Sequence, residues 1–181
     1  MQLKRIHDRN NPDLVVFKEL YESAFPLQER RYWQDLLALA DHPVMQIEVV
    51  QVTGAFAGFI VYWPFPDFVY IEHFAIKPEI RGAGVGASLL NQLLVQYDYV
   101  VLEAEYASDE ASDRRIRFYQ RTGFHVAPYS YVQPPYRNGG NGLPMHLLTN
   151  QPVLSQSRFN EIVEIIRERV YEANQDKSFQ E

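Results

Sequence analysis

One stretch of the chain joins the right residue types for chemistry on phosphate: Phe74-Ala75-Ile76-Lys77-Pro78-Glu79-Ile80-Arg81-Gly82-Ala83-Gly84-Val85-Gly86-Ala87-Ser88-Leu89-Leu90. It links an apolar strand to a helix through three glycines. A glycine-rich helix start is an anion site, because a backbone without Cβ atoms can curl until several N–H groups converge and the helix dipole adds about half a positive charge there. The contributing positions are Gly82, Ala83, Gly84, Val85, Gly86 and Ala87. Arg81, just before the turn, adds a planar cationic fork that favours a pyrophosphate over a carboxylate. A second chemical signal is Glu72 inside Val69-Tyr70-Ile71-Glu72-His73-Phe74-Ala75-Ile76, where an ionised carboxylate costs several kcal/mol unless it is solvated or paired.

Two familiar phosphate motifs compete for the glycines. Gly82-Ala83-Gly84-Val85-Gly86-Ala87 fits the dinucleotide fingerprint G-x-G-x-x-G/A, and Glu103 and Glu105 lie about 20 residues beyond, as that fingerprint asks. A dinucleotide fold, however, runs its strand almost directly into the first glycine and repeats its βαβ units. Here Lys77 to Arg81 intervene and only one such unit can be found. A P-loop requires a Lys after its last glycine, and none follows.

The spacing Arg81-x-x-Gly84-x-Gly86 after a strand resembles the acetyl-CoA pyrophosphate loop of the GNAT N-acetyltransferase superfamily. Further on, Phe118-Tyr119-Gln120-Arg121-Thr122-Gly123-Phe124 is similar to that family's F-Y-x-x-x-G-F helix ending. The resemblance covers residues 44–149 well and the two ends only by general layout. It implies an α/β (α+β) GNAT-like domain over residues 1–173, with a mixed, mostly antiparallel sheet, one parallel βαβ unit and flanking helices. Residues 174–181 are expected to fray.

The same resemblance implies acetyl transfer from acetyl-CoA, as cosubstrate, directly to a primary amine. The roles follow residue by residue. Tyr119 matches the tyrosine that protonates the coenzyme thiolate, with a core aromatic beside a helix C-cap as its structural alternative. Phe118 is then expected to fill the core. Glu72 matches a strand glutamate that acts as base, the alternative being an ion pair with Arg30 or Arg31. Phe74, Ala75 and Ile76 would pair their backbone with the pantetheine arm. Ser112 stands where the family has Asn, and Arg115 where it has Ala, so coenzyme contact from this helix rests on Ser112. Glu103 and Glu105 alternate with Leu102 and Ala104 and share one strand face, as runner-up bases, ammonium-recognition groups or solvated strand-end residues. Tyr136, with other aromatics, is a candidate for the acceptor site.

Composition narrows the classes. A chain of 181 residues with 46% apolar and 22% charged residues has room for one core. It has no cysteine, which removes disulfides, thiolate metal sites and a cysteine nucleophile, so no covalent enzyme intermediate is expected. The five histidines lack metal-ligand spacing, and His73 should face away from Glu72 on its strand. Neither an apolar leader nor a span of about 18 apolar residues is present, so a cytoplasmic protein without membrane association is expected. The net charge of −6 argues against nucleic acid and toward a cationic small-molecule or peptide acceptor. The assembly is expected to be a monomer or homodimer. The remaining readings are an acyl-CoA-binding module without catalysis and, behind it, a dinucleotide-binding protein.

These residues need a scaffold, and the pattern supplies one. Asn11-Pro12-Asp13 opens a helix to Phe25, and a second helix spans Leu27 to Ala40. Val44–Val52 and Phe56–Trp63 form a hairpin about Thr53-Gly54, followed by a strand Phe68–Ile76, a helix Gly86–Tyr97 and a parallel strand Tyr99–Glu105. A helix Glu110–Thr122 ends at Gly123, two strands lie near His125–Val132 and Leu143–Thr149, and an irregular loop occupies 133–142. Ser157 caps a last helix whose Phe159, Ile162, Val163, Ile166 and Val170 make an apolar stripe, for the core or for a dimer.

Overall fold

The computed structural model describes residues 1–7, 9–137 and 139–172, so the expected frayed tail at 174–181 lies outside the described residues. The architecture is α/β with a mixed sheet. The chain divides into two compact units, residues 1–27 with 31–102, and 28–30 with 103 onward.

In the first unit the strands run β1 (Gln2–Arg5), β2 (Gln46–Val52), β3 (Ala55–Pro64), β4 (Val69–Ile76) and the start of β5 (Val100–Glu105), in that spatial order. The first three pairings are antiparallel. β4 and β5 run parallel, with Val69–Ile71 opposite Val100–Leu102. The β2–β3 hairpin turns on Thr53 and Gly54, both at positive φ (51° and 83°), the geometry a tight two-residue hairpin turn demands. Parallel strands need a crossover, and α3 (Val85–Gln96) supplies it, burying Leu89, Leu90 and Leu93. Helix α1 (Leu14–Ala24) presents Phe17 and Tyr21 to the sheet, where Phe17 packs 4.2 Å from the Phe59 ring.

Two details depart from expectation. β1 was not anticipated, because its Lys and Arg hide a strand that alternates between exposed and half-buried positions. The expected helix Leu27–Ala40 is broken into a 3₁₀ turn Leu27–Glu29 and α2 (Trp33–Ala38), with Tyr32 extended between them.

The second unit continues from the end of β5 to β8 (Leu143–Thr149) and β6 (His125–Val126), with β7 (Tyr131–Gln133) also on β8. The expected strand His125–Val132 is therefore two short ones. Helix α4 (Glu110–Arg121) starts with a capping box between Asp109 and Ser112. It ends in a Schellman motif. Gly123, at φ 92°, donates to the Gln120 carbonyl, and Phe124 donates to that of Tyr119. Helix α5 (Gln156–Ile166) is capped by Ser155, not Ser157, and passes into a π-helical turn Arg167–Tyr171. Of the expected stripe, Phe159, Ile162, Ile166 and Val170 are buried within the chain and Val163 is half-buried.

Candidate active site

The glycine turn is built as its sequence requires. Gly82 and Gly84 sit at φ 85° and 80°, a region where an L side chain is strained, and an added Cβ at either would meet nothing within 4 Å. The cradle is thus open as well as left-handed. Gly84 is the N-cap residue of α3, so the first N–H groups of that 12-residue helix have no partner within it. Residues 81–84 are exposed. Arg81 Nε donates to the Ile76 carbonyl at 3.0 Å, which fixes the guanidinium at the end of β4.

β4 carries Phe74, Ala75 and Ile76 into that turn. Their antiparallel ladder runs to Ile60, Phe59 and Gly58 on β3, while the parallel ladder with β5 stops at Ile71 opposite Leu102. Gly58 is needed for this approach, since a Cβ there would lie 2.3 Å from the Ala75 carbonyl oxygen. A register shift between Val61 and Tyr62 skips Glu72, which is the extra residue of a β-bulge.

The bulge decides what Glu72 meets. Arg31 Nε donates to its Oε1 at 2.7 Å, and Trp63 Nε1 donates to its Oε2 at 2.7 Å. The side chains of Arg31 and Glu72 are 5% and 0% exposed. Burial pushes the carboxyl pKa up, but the Arg31 guanidinium, His73 and the two hydrogen bonds outweigh it and hold the pKa below the usual carboxylate range. His73 Nδ1 lies 3.8 Å from Oε1, although strict strand alternation predicts the opposite face. The bulge corrects that expectation, because it places two successive residues against one partner. A carboxylate so occupied is a weak proton acceptor, and the ion pair anticipated as its alternative is formed with Arg31.

In the second unit Tyr119 is the buried member of its pair and Phe118 is half-buried, the reverse of the expected division. The Schellman motif accounts for this, because it packs the Phe124 ring edge-on against Tyr119 with centroids 6.1 Å apart. Burial and the Glu105 charge raise the Tyr119 pKa, Arg115 lowers it, and the result is about 12. Arg115 Nη1 pairs with Glu105 Oε2. Glu29, from the 3₁₀ turn, belongs to the same charge group. Burial and Glu105 push its carboxyl pKa up, and Arg115 opposes them. Motif reading missed Glu29 because nothing in its local sequence marks it.

Glu103 and Glu105 share a strand face, as expected, but meet different neighbours. Glu103 accepts hydrogen bonds from the Tyr131 hydroxyl, from Gln133 Nε2 at 2.9 Å and from the Tyr171 hydroxyl at 2.9 Å. Tyr136 packs against Tyr171 with the rings tilted by 44°, centroids 4.8 Å apart and hydroxyls 3.4 Å apart. The π-helical turn thus delivers Tyr171 to a carboxylate, a partner that no sequence spacing indicated. Ser112 is the N3 residue of α4. Its Oγ accepts from the Ser108 and Asp109 N–H groups, both at 3.0 Å, and lies 2.7 Å from Asp109 Oδ1, so it serves the cap of α4. Among the described residues no group of three or more His, Cys, Asp or Glu is placed to hold a metal ion.

The family model described as "Acetyltransferase (GNAT) family" matches residues 14–124, which span α1 to the end of α4 and include the glycine turn, Glu72, Glu29, Glu105 and Tyr119. The chain belongs to the GNAT acetyltransferase family. A solved GNAT structure, "Putative acetyltransferase from GNAT family from Bacteroides thetaiotaomicron", is 31% identical, covers 94% of this chain and 98% of that one, and has a TM-score of 0.86. An aminoglycoside 6'-N-acetyltransferase complexed with coenzyme A shares the fold at 15% identity, with a TM-score of 0.53 over 86% of this chain and 100% of that one. "Putative acetyltransferase YjbC" of Bacillus subtilis (strain 168) is 29% identical over 70 residues, 38% of this chain and 36% of its own length, so the match spans about a third of that protein. Tyr131, Gln133, Tyr136 and Tyr171 lie beyond the stretch that the GNAT family model matches.

Proposed function

We propose that this GNAT chain transfers acetyl from acetyl-CoA directly to a primary amine of a small cationic acceptor or of a protein, in the cytoplasm. The observation that carries the reading is the open turn at Gly82 and Gly84, which presents unshared helix N–H groups beside Arg81 in the spacing of the family's pyrophosphate loop. These residues fit the coenzyme's phosphates. Phe74, Ala75 and Ile76 are then suited to take its pantetheine arm along the strand edge beyond the β5 ladder. Acetyl-CoA supplies the activated acyl group, and the chain's own residues hold the acceptor and move protons.

Acetyl transfer needs a neutral amine and a proton for the departing thiolate. Tyr119 is assigned the second task. For the first, Glu29 is better suited than Glu72, because both Glu72 carboxylate oxygens are held by Arg31 and Trp63 while the Glu29 carboxyl pKa is raised by burial and Glu105. Glu105 stays with it as the charge that keeps this affinity up. A cationic acceptor is supported by the net charge of −6. The high pKa of Tyr119 favours, as a second reading, an acyl-CoA-binding module without turnover.

Thiol release from acetyl-CoA across an amine panel separates the two readings. Cationic amines should be the best acceptors, and a panel with no turnover would leave only the binding module. Gly84→Asp should abolish coenzyme A binding in calorimetry while the protein stays folded, because it forces a side chain into positive φ and puts negative charge on the anion site. Unchanged affinity in the folded variant would remove the pyrophosphate assignment.

A further inference from the structure

Helix α4 carries Arg115 four residues before Tyr119, so the two side chains share one face a turn apart. Arg115 is not free to wander over that face. Its Nη1 is tied to Glu105 Oε2 at the end of β5, and this pair rather than helix geometry alone sets where the guanidinium sits. Among the described residues, the charges acting on the Tyr119 phenol are Arg115 from its own helix and Glu105 from β5, with the Phe124 ring against its edge. The Arg115 influence is the larger of the two charges, so the pair acts on the phenol as a net positive end.

We propose that Arg115 is a positioning residue for proton donation by Tyr119, with its ion pair to Glu105 holding the positive charge one helical turn from the phenol. The inference rests on the transferase reading above. In the step concerned, the acyl carbon already holds the amine nitrogen. The carbon–sulfur bond breaks, its electron pair goes to sulfur, and sulfur takes the proton of the Tyr119 hydroxyl. The phenolate left behind then recovers, through solvent, the proton that the nitrogen gave up. Burial penalises that phenolate, and a guanidinium fixed nearby offsets part of the penalty at the moment the charge forms. Arg115 thereby acts on turnover and not on coenzyme affinity.

The test is a double-mutant cycle on initial rates at saturating amine, using R115Q, R115K, Y119F and R115Q/Y119F in the full chain. We expect R115Q to lower kcat by about three- to thirtyfold with the KM for acetyl-CoA within about twofold of wild type, and R115K to restore most of the rate. In the Y119F background R115Q should have a clearly smaller effect, the remainder coming from the influence of Arg115 on Glu29. An equal loss in that background, or a raised KM at unchanged kcat, would overturn the role of Arg115 and leave Tyr119 in place. A Y119F enzyme at the wild-type rate would overturn the acid itself, and the inference with it. R115K retains the charge and the surface position, so it reports on the inference even where R115Q perturbs folding.

Discussion

Glu72 and Glu29 both lose solvent on folding, and in both burial alone pushes the carboxyl pKa up. Their neighbours then take them in opposite directions. Glu72 is given Arg31, His73 and the Trp63 indole, and ends as a saturated anion. At Glu29 the like charge of Glu105 adds to burial and Arg115 opposes them, so it ends with a raised affinity for protons. A buried carboxylate in an apolar strand is therefore a sign that compensation exists, and says nothing of whether the group remains available for chemistry.

The largest effect that can break this contrast is on stability. Glu72→Ala leaves Arg31 as an unpaired buried cation, and removing one partner of such a pair costs about 3–5 kcal/mol. Urea denaturation should show a loss of that order, whereas Glu29→Ala should stay within about 0.5 kcal/mol of wild type. A Glu72→Ala protein as stable as wild type would mean that the pair with Arg31 is not what compensates the carboxylate.

The next effect is on rate. As the proposed base, Glu29 would be worth about 10²–10⁴-fold, so Glu29→Gln should lower kcat/KM and flatten its acidic limb. Glu72→Gln, once its fraction folded is accounted for, should keep the wild-type pH profile. A Glu29→Gln enzyme with an unchanged profile would end the assignment, and a changed profile in Glu72→Gln would return the base to β4.

The smallest effect is the pH dependence of stability. The folded-state pKa of Glu72 lies below its unfolded value near 4.5, so its contribution is complete above about pH 4.5 and is lost as pH falls through the folded pKa. Glu72→Gln should shed this part of the acid limb. Glu29 has the opposite sign. Its ionised form costs stability above its raised folded pKa, and the cost vanishes as pH falls below the unfolded value. Glu29→Gln should therefore be slightly more stable near neutrality, by less than about 0.5 kcal/mol because the site is half-exposed and screened. Acid-unfolding curves in which both variants shift the same way would contradict the contrast.

What the sequence made legible is what neighbours in the chain decide. The glycine turn, the Thr53-Gly54 hairpin and the Gly123 cap each follow from residues within one turn of one another, and each is where it was expected. The departures have longer-range causes. The second helix breaks at Tyr32, next to Arg31, which reaches Glu72 on β4. Tyr119 is buried instead of Phe118 because the Schellman turn aims Phe124 at it. Ser155 rather than Ser157 caps α5, a choice between two equally good cap residues that local preference does not settle. Glu29 and Tyr171 gained their roles from partners far along the chain, and a single sequence carries no trace of such meetings.

The bulge at Glu72 also fixes how β4 tolerates changes in length. Beyond it the side-chain faces are offset by one from a regular strand, so Phe74, Ala75 and Ile76 reach the glycine turn in a phase that the extra residue sets. Deleting one residue there would mend the ladder with β3, yet it would also remove the position from which a carboxylate meets Arg31 and Trp63. Inserting one would restore neither. β4 is thus a segment whose length, and not only whose composition, is under constraint, and a chain carrying a single-residue gap at this point would have to hold its α1–α2 connection by some means other than a buried ion pair.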